Sequence, residues 1–362
     1  MAALSPTLTR ERRLSSASAI AGAMTNVINT DGYERDEVFT ASGNEFQQSW
    51  FNFITTKGTV LNNILVPGFL FTVWGATWTI IYMLTSFRVL FPSSQALISI
   101  ISFVVALILG YRTNSAYDRY WEARKVWGTL VTHSRNLARA FWCSTSPSTP
   151  QQEIERLGAI NLIMAYSVAL KHALRDEQGF HFSDLAHLLV HVPKFRPGAR
   201  NPPKENIPME IVLLLTEYVR NAEEAKILEA TPKSIMNGCI GGMIECLTNF
   251  ERIRNTPIPL AYAIHLKHIL VLFLLALPFQ ISQVLYWLAI PVMCIASFTL
   301  LGIESISAEI EQPFGYDVND LRLNEFCNDL RMELNALTHN SKSDRDVLSW
   351  NLGAVRDKNK NV

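Results

Sequence analysis

The stretch Leu61 to Leu84, LNNILVPGFLFTVWGATWTIIYML, carries no charged side chain. At about 1.5 Å per residue it can cross, as one helix, a hydrocarbon core about 30 Å thick. A charge near the bilayer centre costs a few kcal/mol, so charge-free runs say more than mean hydropathy. Working outward, no charge occurs between Lys57 and Arg88, and a second apolar run extends from Val89 to Tyr111 and stops at Arg112. Phe91-Pro92-Ser93-Ser94 separates the two runs, which read as a helical hairpin. Trp74, Trp78 and Tyr82 suit an interfacial aromatic belt. A third run, Ile269 to Ile303, is longer than one span needs and is interrupted by Pro278, Gln280, Ser282 and Gln283. With a helix start near Pro259 it divides into two spans around a tight turn at 280–283.

The chain as a whole fits a mixed membrane and soluble protein. Of its 362 residues 49% are hydrophobic and 18% charged, with 32 basic and 32 acidic side chains giving a net charge of +0; the mean hydropathy is +0.13. This balance excludes a disordered chain and a nucleic-acid binder driven by bulk positive charge. Cys143, Cys239, Cys246, Cys294 and Cys327 are scattered and form no C-x-x-C pair, so neither a disulfide framework nor a zinc cluster is expected.

The expected fold is an all-α membrane protein with four spans, about 61–85, 89–111, 259–279 and 284–304, and a large cytosolic helical region over about 112–257 and 305–335. Helical patterns cover Tyr120–Phe141, Ile154–Leu174, Met209–Ala230 and Ser234–Ile253, with loops at 144–150 and 193–208. Arg112, Arg119, Arg124, Lys125, Arg135 and Arg139 follow the second span, against Asp118 and Glu122. The positive-inside rule then places both termini and the middle segment on one, cytosolic or equivalent, side. Residues 1–44 read as a disordered or targeting tail with no apolar signal core, and 336–362 as a polar C-terminal tail. The membrane, plasma or organellar, is left open.

An enzyme is not expected: there is no P-loop, G-x-S-x-G or H-E-x-x-H motif. Gly238, Gly241 and Gly242 fall within a helical pattern, where close packing accounts for them. His265, Lys267 and His268 near the start of the third span read either as part of an ion pathway or as side chains snorkelling to the interface. Phe103, Leu107 and Tyr111, four apart, share one face of the second span. Alone they are an apolar stripe. Repeated around a symmetry axis, they would form stacked apolar rings of the kind that gate by dewetting.

The segment Gly110-Tyr111-Arg112-Thr113-Asn114-Ser115-Ala116-Tyr117-Asp118-Arg119-Tyr120-Trp121-Glu122-Ala123-Arg124 closely resembles the signature after the second transmembrane helix of bestrophin-like channels, especially bacterial and fungal ones. Asn255-Thr256-Pro257-Ile258-Pro259-Leu260-Ala261-Tyr262 and Glu309-Ile310-Glu311-Gln312-Pro313-Phe314-Gly315-Tyr316-Asp317 follow in the matching order. The resemblance covers about residues 45–335. It implies a homopentamer in the lipid bilayer with one central pore, passing small anions with chloride as the default. A monovalent cation channel on the same scaffold and a non-conducting membrane scaffold or channel regulator are the alternatives.

The resemblance also implies site residues. Counting back from Arg119 puts the family's apolar neck at Phe103, Leu107 and Tyr111, where Tyr111 replaces the common phenylalanine and brings a hydroxyl. A second, cytosolic aperture falls at Thr231, within a window of Ile227 to Ile235. Asp317 and Asp320 occupy two positions of the acidic run that helps clasp calcium in animal bestrophins. They read either as ligands of such a hard cation or as caps of a helix beginning near Leu321. Arg112, Arg119 and Arg124, with Asp118 and Glu122, are expected to form ion pairs below the membrane, or as a ring to raise the local anion concentration.

Overall fold

A computed structural model describes residues 59–85, 95–196, 199 and 206–344, with backbone only at 95–97 and 339–344. The N-terminal tail, the 91–94 hairpin loop and the end of the C-terminal tail lie outside these residues. All regular structure within them is helical: α1 (Leu61–Leu84), α2 (Gln95–Ser144), α3 (Pro150–Leu174), α4 (Ser183–Leu189), α5 (Ile207–Glu224), α6 (Ala230–Asn255), α7 (Leu260–Leu285), α8 (Ala289–Ile310) and α9 (Leu323–Asp344). The chain divides into two compact units. One comprises residues 59–125 and 251–321, the other 126–250 and 322–344.

In the first unit α1 packs against α7 and α8, which also pack against each other. Val105 of α2, Leu270, Phe273 and Leu274 of α7 and Met293 of α8 make its apolar core. The outward residues are equally apolar: Val66 and Phe69 are each 68% exposed, Leu272 65% and Ile295 66%. Large apolar side chains turned outward along three long helices fit a hydrocarbon solvent rather than water. Gly75 lets α1 approach α8 closely, since a Cβ there would lie 2.6 Å from Met293 Cγ. Thr79 and Ser282 hydroxyls lie 3.1 Å apart, each also within reach of a carbonyl of its own helix, so one donates across to the other while the second donates to its carbonyl. Trp74 and Trp78 both pack edge-on to Phe279, and Trp74 Nε1 donates to Leu275 O at 3.1 Å.

Three local expectations change. The helix starting in the second run does not break at Arg112; α2 continues to Ser144 as one 50-residue helix. The turn expected at 280–283 lies later, at the 3-10 turn Tyr286–Leu288, where Tyr286 adopts φ 51°. α7 passes through its polar interruption because the Ser282 hydroxyl and the Gln283 amide are within hydrogen-bond reach of the carbonyls of Pro278 and Phe279, one turn back on the same helix. The helix expected over 209–230 ends at Glu224. Lys226 turns left-handed (φ 58°) and α6 starts afresh at Ala230.

The second unit is built around α3. Thr149 and Gln152 form a capping box, with Pro150 in the first turn. This helix is as long and apolar as a membrane span, yet 89% of its apolar window is buried within the folded chain, against 17% for the windows elsewhere. It is a protein core helix, packed by α4, α5 and α9. Trp127 meets Phe250 and Phe326, and Tyr166 Oη donates to Met243 O at 2.6 Å, tying α3 to α6. Arg156 stacks on Trp142 and pairs with Glu153. α9 runs to Asp344, beyond the point at which a polar tail was expected to begin.

Candidate pore-lining face and its supports

The heptads of α2 divide it into two faces. Val105, Leu109 and Arg112 are buried at 5%, 4% and 3% exposure, whereas Phe103, Leu107 and Tyr111 stand out at 70%, 63% and 63%. The exposed stripe spans about 12 Å of helix and turns polar below Tyr111, at Asn114 and Asp118.

The turn that carries Tyr111 is held from behind by α7 and α8. Tyr111 packs edge-on to Tyr262, with ring centroids 5.8 Å apart, and Tyr262 Oη donates to Ile108 O at 3.3 Å. Thr113 and Ser307 hydroxyls lie 2.8 Å apart. Arg112 points into the unit, 3.0 Å from Glu304 and 3.7 Å from Glu311. Glu311 also accepts the Ile258 N–H at 3.2 Å, so one buried charge network joins α2, α8 and the 256–259 linker. Lys267 reaches Glu304 at 3.6 Å, which gives it an ion-pair role, while His265 and His268 are exposed on α7.

Arg119 departs from the expected ion pair. Its guanidinium donates to three carbonyls: Ile253 at 2.7 Å, Glu311 at 3.1 Å, and Thr256. It thereby closes the C-terminal ends of α6 and α8, where orphan carbonyls favour a cation. Burial pulls its pKa down while the charges of Glu311 and Glu122 hold it up; a guanidinium stays cationic throughout. Glu122 pairs with Arg252. Asp118 and Arg124 are exposed.

Thr231 is exposed in the first turn of α6, in the other unit. Within its window Leu228 is buried and Ile235 is half exposed. Asp317 is exposed and caps no helix, since α9 begins at Leu323. The buried Asp320 carboxylate instead accepts the Asp317 N–H at 2.9 Å, closing the turn before that helix. Among the described residues no group of three or more His, Cys, Asp or Glu side chains converges on a metal-sized site.

The sequence reading missed the roles of Glu304 and Tyr262. A carboxylate at the end of an apolar span is itself a signal, because such a charge needs a partner. Its partner, Arg112, lies 192 residues away.

A sequence model of the bacterial and fungal bestrophin proteins matches residues 44–336. The chain belongs to the bestrophin family. A voltage-dependent anion channel-forming protein of Nostoc is 35% identical over 310 residues, covering 85% of this chain and 96% of its own length. The voltage-dependent anion channel-forming protein YneE of Escherichia coli K12 is 31% identical, covering 80% and 91%. A crystal structure of a bacterial bestrophin homologue from Klebsiella pneumoniae superposes with TM-score 0.67 at 26% identity, covering 76% of this chain and 99% of that one. This bestrophin is a multi-pass integral membrane protein, and α1, the apolar part of α2, α7 and α8 hold the apolar windows that stay mostly exposed within the chain.

Proposed function

We propose that the chain is one subunit of a pentameric channel for small anions, chloride first among them, with a pore lined by the Phe103, Leu107 and Tyr111 face of α2. The carrying observation is that these three side chains are 63–70% exposed while the opposite face of the same helix is packed. A soluble surface would not favour such a stripe, but five copies around an axis would bury it as three stacked rings. Narrow apolar rings hold water poorly and so form a barrier that a small widening removes. Tyr111 at the lower end adds a hydroxyl that eases wetting there. In this reading residues 112–257 and 305–335 form the cytosolic helical region, with a second, polar aperture at Thr231. The names of the relatives from Nostoc and E. coli support anions as the cargo, and family membership makes the chain a channel rather than an enzyme. Arg112 and Arg119 are committed inside the subunit, so ion preference rests on the rings and the aperture rather than on these two cations.

Purified protein in planar bilayers tests the reading. Currents are expected to reverse near the chloride equilibrium potential under a chloride gradient, and Phe103→Ala with Leu107→Ala should raise open probability several-fold. Reversal at the cation potential would assign the cation alternative, and silence across preparations the scaffold. Unchanged currents in the double variant would remove the neck from α2.

A further inference from the structure

Below Tyr111 the exposed stripe of α2 continues into polar side chains. Asn114 and Asp118 are both exposed, and Asp118 follows Tyr111 by seven residues, close to two turns. It therefore sits about 10 Å beyond Tyr111 and within about 20° of the same line down the helix. Asn114 lies between them. Among the described residues neither Asn114 nor Asp118 makes a hydrogen bond or an ion pair.

The charged neighbours do not compensate this carboxylate. Arg119 and Arg124 lie about 100° and about 120° away, on either side of it round the helix. Arg119 is also spent on the carbonyls of Ile253, Thr256 and Glu311. Glu122 pairs with Arg252. Lys125 lies a further seven residues, about 10 Å, along α2, where its ammonium stands 5.8 Å from the centre of the Trp121 ring. A channel whose neck is the Phe103, Leu107 and Tyr111 face brings one Asp118 per subunit to a common level around the axis. Like charges so gathered reinforce one another, and acidic rings favour cations where basic rings favour anions. Low-dielectric walls focus such a field, enough to change local ion concentration by about 10-fold or more.

We propose that Asp118 determines charge preference at this mouth of the pore: its ring depletes anions there, so that they enter more slowly from this side than from the other. The ring rests on the pore-lining reading of α2, to which it adds an acidic mouth beneath an apolar neck.

Unitary currents of the purified full-length channel in planar bilayers test it, with equal chloride on both sides and voltages of opposite sign. In about 0.1 M salt, where charges act over about 10 Å, Asp118→Asn should raise the smaller of the two currents by about two-fold or more. Asp118→Glu keeps the ring and should match wild type. In about 1 M salt that reach falls to about 3 Å, and the difference between Asp118→Asn and wild type should fade. Asn114→Asp adds a second acidic ring one turn nearer the neck and should lower the same current; should Asp118→Asn form no channels, an unchanged current in Asn114→Asp overturns the acidic mouth. Leu107→Cys with a charged thiol reagent, against wild type with its native cysteines, probes the pore face independently. Where the reagent blocks Leu107→Cys alone, an Asp118→Asn current equal to wild type in the lower salt overturns the acidic mouth and leaves the neck standing. A change that persists undiminished in the higher salt reports altered structure rather than charge and also overturns it. No block at Leu107→Cys removes the neck from α2, and the ring with it.

Discussion

Replacing Arg112 by methionine should be the most damaging single change near the pore face. The guanidinium is 3% exposed and sits between Glu304 and Glu311, themselves 13% and 14% exposed. Removing one partner of a buried ion pair costs about 3–5 kcal/mol, because the remaining charge is stranded. Here two carboxylates would be stranded near one another. Part of the loss is offset by Lys267, still 3.6 Å from Glu304, and by the Ile258 N–H on Glu311. The lower end, about 3 kcal/mol, is therefore expected. At about 2–4 °C per kcal/mol for a domain of this size, the unfolding midpoint should fall by about 6–12 °C. Glu304→Gln leaves Arg112 with Glu311 and a neutral acceptor, and should cost about 1–2 kcal/mol. Arg135→Ala is the control. Its two-contact pair with Glu333, at 2.6 and 2.7 Å, is better in geometry, but the partners are 56% and 45% exposed, so it should cost at most about 1 kcal/mol. The assay is the thermal midpoint of the detergent-solubilised protein by intrinsic fluorescence. An Arg112→Met midpoint within about 2 °C of wild type, or one no lower than that of Arg135→Ala, would refute the burial reasoning.

Two further perturbations follow from the packing and the buried titratable groups. Gly75→Ala puts a Cβ 2.6 Å from Met293 Cγ and 3.1 Å from Met293 Cβ and should lower stability by about 1–3 kcal/mol, whereas Gly68→Ala meets no atom within 4 Å and should be near neutral; the same melting assay compares them, and equal midpoints would contradict the α1 to α8 contact. Burial holds His191 at a pKa of about 4, below its ordinary 6.5. Between those values the unfolded chain takes up a proton that the native one refuses, so stability falls as pH drops through this window. The loss is about 3 kcal/mol in full. Denaturant unfolding at pH 7 and pH 4.5 should show that slope in the wild type and a shallower one in His191→Gln; parallel slopes would show that His191 is solvated.

Much of the membrane unit was legible because lipid leaves a one-dimensional trace. A run such as Leu61–Leu84 without charge has few other uses, and the four-residue spacing of Phe103, Leu107 and Tyr111 puts them on one face of any helix. The Gly110–Arg124 segment carried the family. Helix ends were read less well where side chains bond their own backbone: Ser282 and Gln283 looked like a turn because polar residues in an apolar run usually mark one. The break at Lys226, between α5 and α6, rests on a left-handed residue that no glycine announced.

What the sequence determined by itself is thus the set of segments that lipid can accept and the stripe that α2 presents, since both depend on composition and helical period alone. Two matters needed the tertiary structure. The most apolar 18-residue windows of Ile98–Ser144 and Pro150–Leu174 have the same mean hydropathy of 1.4, yet one turns its apolar side chains outward and the other buries them among α4, α5 and α9. Hydropathy measures the cost of meeting water, not the neighbour that removes it. Likewise Arg112 and Arg119 differ little in sequence context, but Arg112 neutralises two carboxylates and Arg119 closes two helix ends. Their partners lie more than 130 residues along the chain, and only folding brings them into reach.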